Sequence, residues 1–274
     1  MMTIETVGVI GLGKMGGPLA RHLANGGFQV IGFDLAEAAL EAVADAGVSS
    51  AKTCTELAEQ CDLSIVGVGF DSEVEEVLFG DSGLLMNPKE NMTLAVASTI
   101  APGAMKEIAA RAIDKPVNLL DIPMCRGEHA AIEGKLLLMG GGDQAKFDEC
   151  RPAFNTFASD IYFLGDLGAG QVGKMVNNLI LWSCISANTE GMALADALSV
   201  DTDALREALL DSSARNWAME VHAETWDLPW AEKDMSIVLK EADEARISLP
   251  LCGSVKEVIK GIKIDLGQGM PKKR

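Results

Sequence analysis

The sequence predicts an α/β domain built on a parallel sheet, followed by an all-helical C-terminal domain. Three observations predict it. Short apolar runs alternate with stretches of helical periodicity through the first half, as in sheets covered by helices on both faces. A glycine-rich turn joins the first apolar run to the first helical one. After Gly165 the strand-like runs stop and only helical patterns continue.

In chain order, Thr6 to Ile10 reads as a strand ending at Gly11, and Met15 to Asn25 as a helix. Gln29 to Phe33 is a second strand closing on Asp34, and Glu37 to Ala46 an Ala-rich helix. Leu63 to Val68, Leu94 to Ala97 and Val117 to Asp121 are further strands. Downstream, Gly173 to Ala195 forms one long proline-free helical segment, apolar nearly all round, a pattern that normally means burial. Thr202 to Leu210, Met219 to Glu224, Ala231 to Ala245 and Leu251 to Ile259 follow with the same periodicity. The expected domains are 1–164 and 165–274, with a basic, frayed tail from Met270 to Arg274.

Composition narrows the function classes. Of 274 residues 48% are hydrophobic and only 5% aromatic, so aliphatic residues and Met must fill the core. The net charge of −17 argues against nucleic acid and anionic membranes as partners. It also requires an enzyme for anions to gather positive groups locally. No apolar stretch reaches membrane-spanning length, and the N-terminus lacks the pattern of a secretory signal. Six scattered cysteines and three distant histidines suggest reduced thiols in a cytoplasmic protein, and no metal site.

The first turn, Gly11-Leu12-Gly13-Lys14-Met15-Gly16, is a G-x-G-x-x-G between strand and helix, the fingerprint of a Rossmann-type dinucleotide-binding domain. Gly11 allows the tight turn, Gly13 close approach of a pyrophosphate, and Gly16 close packing of helix on strand. The N–H groups at the helix start suit phosphates. Asp34, eighteen residues past Gly16, is placed to accept both ribose hydroxyls of NAD and to repel a 2′-phosphate. No basic residue follows it to welcome NADP. In the second half, Lys174 and Asn178 are four apart and share a helix face, with Asn177 close by, after a glycine-rich entry. A lysine and two amides facing one way in an apolar helix suit either a cleft that binds an oxyanion or carboxylate, or a solvated helix start.

Five motifs in order resemble those of the β-hydroxyacid dehydrogenase family, the group of 3-hydroxyisobutyrate dehydrogenase and tartronate semialdehyde reductase. They are Ile10 to Gly17, Ala97-Ser98-Thr99-Ile100-Ala101-Pro102, Asp121 to Gly127, Gly168 to Asn178, and Lys233-Asp234-Met235. The resemblance implies that Lys174 is catalytic and that Asn178 positions it and the substrate. It implies that Ser98, Thr99 and Lys233 lie at the cofactor, and that the loop Cys125-Arg126-Gly127 meets the substrate, with Asn177 placed by its spacing from Lys174 to meet it as well. In that loop Cys125 replaces the family's usual Ser, and Arg126 the first of two usual glycines. Arg126 is expected to reach a second anionic group of the substrate, or else to pair with Glu128. The implied activity is hydride transfer between NAD and the hydroxyl carbon of a small anionic hydroxy acid, without a metal. Two other readings are an imine or semialdehyde reductase on this fold and a catalytically silent NAD-binding module. The apolar long helix leads us to expect a homodimer or homotetramer.

Overall fold

The computed structural model describes residues 4–221 and 228–272. The chain forms two compact units, one running to Lys174 and one from Met175 to Lys272.

The first unit is built on a sheet in the order β3-β2-β1-β4-β5-β6-β8-β7, with β9 beside β8. The strands are β1 (Thr6–Ile10), β2 (Gln29–Phe33), β3 (Ser49–Ser50), β4 (Leu63–Val66), β5 (Met92–Val96), β6 (Val117–Asp121), β7 (Met124–Cys125), β8 (Leu136–Gly142) and β9 (Ala158–Gly165). From β3 to β6 every pairing is parallel. The chain steps outward from β1 to β2 and β3, then returns to pair β4 on the other side of β1. That reversal opens a crevice beyond the carboxyl ends of β1 and β4, where open α/β sheets bind ligands. The parallel strands are nearly continuous apolar runs because helices cover both faces. Val7, Val9, Leu63 and Ile65 point into one apolar core, and Ile10, Val66, Leu94 and Val96 into the other.

The helices of this unit are α1 (Gly16–Asn25), α2 (Glu37–Ala44), α3 (Cys54–Ala58), α4 (Asp71–Phe79), α5 (Pro102–Arg111), α6 (Gly127–Ile132) and α7 (Gln144–Phe154). The sheet departs from the expected all-parallel form at its far edge. There β8 runs antiparallel to both β6 and β7. Its sequence, Leu136 to Gly142, ends in three glycines and lacks the apolar-to-turn pattern that marks the others.

The 29-residue helix α8 (Ala169–Ala197) leaves the first unit and enters the second. Helices α9 (Thr202–Leu210), α10 (Trp217–Val221), α11 (Ala231–Glu244) and α12 (Pro250–Asp265) complete the second unit. Its core joins Leu228, Met235, Val238, Val255 and Ile259 to Leu179 and Trp182 of α8. Within it Lys263, 1% exposed, pairs with Glu232 at 2.8 Å. The helix expected over Met219 to Glu224 ends at Val221 as far as it can be followed, since 222–224 lie outside the described residues, as do His222 and the last two tail residues. No helix among the described residues is long and apolar enough to cross a membrane.

Within the single chain α8 is not covered on every side. Val172, Val176, Ile180 and Leu194 are 43–62% exposed. Their spacing of four, four and fourteen keeps them near one face, so the helix buries one side and leaves an apolar stripe on another.

Candidate active site

The glycine loop follows β1 directly. Gly11 has φ +86, and a Cβ there would meet the Gly67 carbonyl oxygen at 2.6 Å. At Gly16 a Cβ would stand 1.8 Å from the Gly11 carbonyl oxygen, so only glycine lets α1 start this close to the strand. Gly13 differs from both: a Cβ there would meet nothing within 4 Å, which leaves open space over the turn. No side chain among the described residues caps α1. An open cradle at an uncapped helix start fits a dinucleotide pyrophosphate.

Asp34 closes this loop against β2. Its carboxylate accepts the N–H of Leu12 at 2.8 Å and that of Ala36 at 2.8 Å. A carboxylate has about four acceptor sites, so these two bonds orient Asp34 without exhausting it. Lys14 and Met15 lie on the outer part of the turn, where the Lys14 ammonium pairs with Glu128 at 3.0 Å.

Past β4 and β5, Ser98 turns inward. Its hydroxyl accepts the Val68 N–H at 2.9 Å and donates to the Val66 carbonyl at 3.3 Å. Ser98 is therefore engaged in tying two strand ends together, and Thr99 follows it half-buried. Gln171 completes this side. Buried in the first turn of α8, it donates to the Ser98 carbonyl at 2.8 Å and accepts the Ile100 N–H at 3.2 Å. Asp121, at the end of β6 and fully buried, accepts the N–H groups of Gly168 and Gln171, each at 2.7 Å. Burial pushes its carboxyl up, against the pull of those backbone donors. Asp121 and Gln171 thus fasten the start of α8 to the strand ends, and Lys174 lies one turn further along. Both residues stand inside motifs quoted above, but no spacing rule marked them as buried anchors.

Cys125 is 4% exposed at the end of β7. Burial pushes its thiol up, while the positive charges of Lys174 and Arg126 draw it back down. Arg126 itself is aimed away from Glu128. Its Nη1 donates to Asp160 at 2.7 Å, to Ser159 at 3.0 Å and to the Lys135 carbonyl at 3.1 Å. The expected pairing with Glu128 is thereby corrected: Glu128 is held by Lys14, and β9 supplies a carboxylate that chain spacing does not reveal. So held, the guanidinium is engaged with β9 and is not extended toward a second anionic group of a substrate.

In the second unit Asn178, 4% exposed, donates to Asp234 at 2.8 Å and accepts from Asn177 at 3.0 Å. Trp182 donates to the same Asp234 oxygen at 3.3 Å. The amide is thus locked in one orientation. Lys233 lies over the Trp230 ring, 5.5 Å from its centroid.

Residues 6–165 match the model of the NAD-binding domain of 6-phosphogluconate dehydrogenase. Residues 168–270 match that described as NAD-binding of NADP-dependent 3-hydroxyisobutyrate dehydrogenase. The NAD-dependent L-serine dehydrogenase of Pseudomonas aeruginosa is 33% identical over 80% of this chain and 74% of its own. The 2-hydroxy-3-oxopropionate reductase of Escherichia coli is 31% identical over 92% of this chain and 89% of its own. A crystal structure of 3-hydroxyisobutyrate dehydrogenase from Salmonella typhimurium superposes with a TM-score of 0.84, at 27% identity, covering 97% of this chain and 96% of that one. With a glycine cradle at the switch point of its sheet and family models matching along nearly its whole length, the chain belongs to the β-hydroxyacid dehydrogenase family.

Proposed function

We propose that this protein transfers a hydride between NAD and the hydroxyl carbon of a small β-hydroxyacid. The observation that carries the reading is the seating of Lys174. It lies one turn past a helix start that Asp121 and Gln171 fasten to the carboxyl ends of the strands. The dinucleotide is assigned to Gly11, Leu12, Gly13, Lys14, Met15 and Gly16, with Asp34 at the adenosine ribose and Ser98, Thr99 and Lys233 toward the nicotinamide end. NAD supplies the hydride acceptor or donor. Lys174 Nζ hydrogen-bonds the reacting oxygen, takes the hydroxyl proton during oxidation and returns it during reduction. The backbone N–H groups of Cys125, Arg126 and Gly127 hold the carboxylate, aided by Asn177. Asn178, locked by Asp234, positions Lys174 and the substrate.

Asp34 supports NAD over NADP, because a carboxylate at the ribose repels a 2′-phosphate. We take the domains as 1–164 and 165–274 and the setting as the cytoplasm. The exposed stripe of α8 supports a homodimer or homotetramer. The test is a screen of small hydroxy acids with NAD⁺, read by NADH absorbance. At least one β-hydroxyacid should give turnover that Lys174→Ala abolishes. Turnover of none, or turnover independent of Lys174, would sink the reading.

A further inference from the structure

Arg126 occupies a backbone conformation that normally selects glycine. Its φ is 82° and its ψ 0°, and Gly127 after it also has a positive φ, of 75°. This turn carries the N–H groups to which the substrate carboxylate is assigned. At Gly127 the freedom is intrinsic. At Arg126 a Cβ disfavours the left-handed region by a factor on the order of ten. Something must hold the residue there.

The side chain supplies that hold. Nη1 converges on the Asp160 carboxylate, the Ser159 hydroxyl and the Lys135 carbonyl, all within 3.1 Å. Ser159 in turn donates to Asp160 at 2.7 Å. Ser159 and Asp160 belong to β9, and Lys135 directly precedes β8, so the guanidinium is tied to the mixed edge of the sheet. We infer that Arg126 is a positioning residue: its clamp on Asp160, Ser159 and the Lys135 carbonyl holds residues 126 and 127 in the left-handed turn after β7, so that the N–H groups of 125–127 are presented to the substrate carboxylate. Where glycine would adopt this turn freely, this chain reaches it by tethering an arginine. The inference rests on the proposed placement of the carboxylate at 125–127.

The test compares Arg126→Ala, Arg126→Gly and Asp160→Ala, alone and combined, by steady-state kinetics on the hydroxy acid found in the screen. Arg126→Ala keeps the Cβ and loses the tether. Its KM for the hydroxy acid should rise roughly tenfold, as the competent turn becomes a minor population, with kcat within about twofold. Arg126→Gly should recover most of that loss. Asp160→Ala should raise KM several-fold beside Arg126, on the order of a lost charge-assisted bond, and add nothing beside Gly. NADH affinity and thermal midpoint should stay near wild type, which separates this effect from misfolding. Amide hydrogen exchange across residues 124–132, measured without substrate, reads the tether independently and should quicken in Asp160→Ala. Equal KM losses for Arg126→Ala and Arg126→Gly would overturn the inference and place the side chain on the substrate. So would an Asp160→Ala protein with unchanged exchange. Quickened exchange with unchanged KM would show the tether to be real and the carboxylate to bind elsewhere, overturning the role given to Arg126.

Discussion

Two glycines of one loop should fail in opposite ways when a single methyl group is added. At Gly16 the new Cβ would stand 1.8 Å from the Gly11 carbonyl oxygen. Both partners are backbone, so α1 must move off the strand. Overpacking of this kind costs about 1–3 kcal/mol. At about 2–4 °C per kcal/mol for a protein of this size, Gly16→Ala should lower the thermal midpoint of the ligand-free protein by roughly 2–12 °C. At Gly13 the Cβ meets no protein atom within 4 Å and the backbone does not have a positive φ. Gly13→Ala should therefore leave the ligand-free midpoint within about 2 °C, the range of an uninvolved surface change. The methyl instead enters the space assigned to the pyrophosphate. The same overpacking cost, now borne by the complex, weakens NADH binding about 5- to 150-fold. Thermal shift without ligand and fluorescence titration with NADH measure the two effects separately. A Gly13→Ala protein that binds NADH like the wild type, or that melts as early as Gly16→Ala, would refute the assignment of the open space to the cofactor.

Three further outcomes follow from the same geometry. Lys174→Ala should lower kcat by about 10²–10⁴-fold with NADH affinity nearly intact, and retention of a tenth of wild-type kcat would contradict the general acid–base role. The ratio of kcat/KM should favour NAD over NADP, and Asp34→Ser should narrow it; a preference for NADP would show that a basic group outside the loop reaches the 2′-phosphate. Asp62, buried beside β1, accepts from the Glu5 and Thr6 N–H groups and pairs with Lys89 at 2.7 Å. Burial pushes its carboxyl up, but Lys89 and the backbone donors outweigh this and hold it below its ordinary value. A carboxyl lowered on folding contributes stability above its unfolded value of about 3.9 and loses it as pH falls through the folded value. Asp62→Asn should thus melt below the wild type at pH 7, and the gap should close as the pH falls below about 4; a constant gap would mean packing, not charge.

The sequence by itself determined what depends on near neighbours along the chain. Strand alternation, the three glycines, Asp34 closing β2, and Lys174 four residues from Asn178 are all local patterns, because turns, helix faces and strand ends are set by residues within one or two turns. Tertiary structure decided what depends on register between distant segments. Asp121 anchors α8 because β6 ends where residues 168–171 arrive, forty-seven to fifty positions later. Ser98 faces inward because Val66 and Val68 lie across the neighbouring strand, so its hydroxyl bonds them instead of standing open. Arg126 finds Asp160 because β8 runs antiparallel to β7 and then pairs β9 in parallel, bringing together residues thirty-four apart. The amphipathicity of α8 was likewise hidden, since its apolar residues are spread around the helix and not gathered on one face, and only the packed core shows which side is covered.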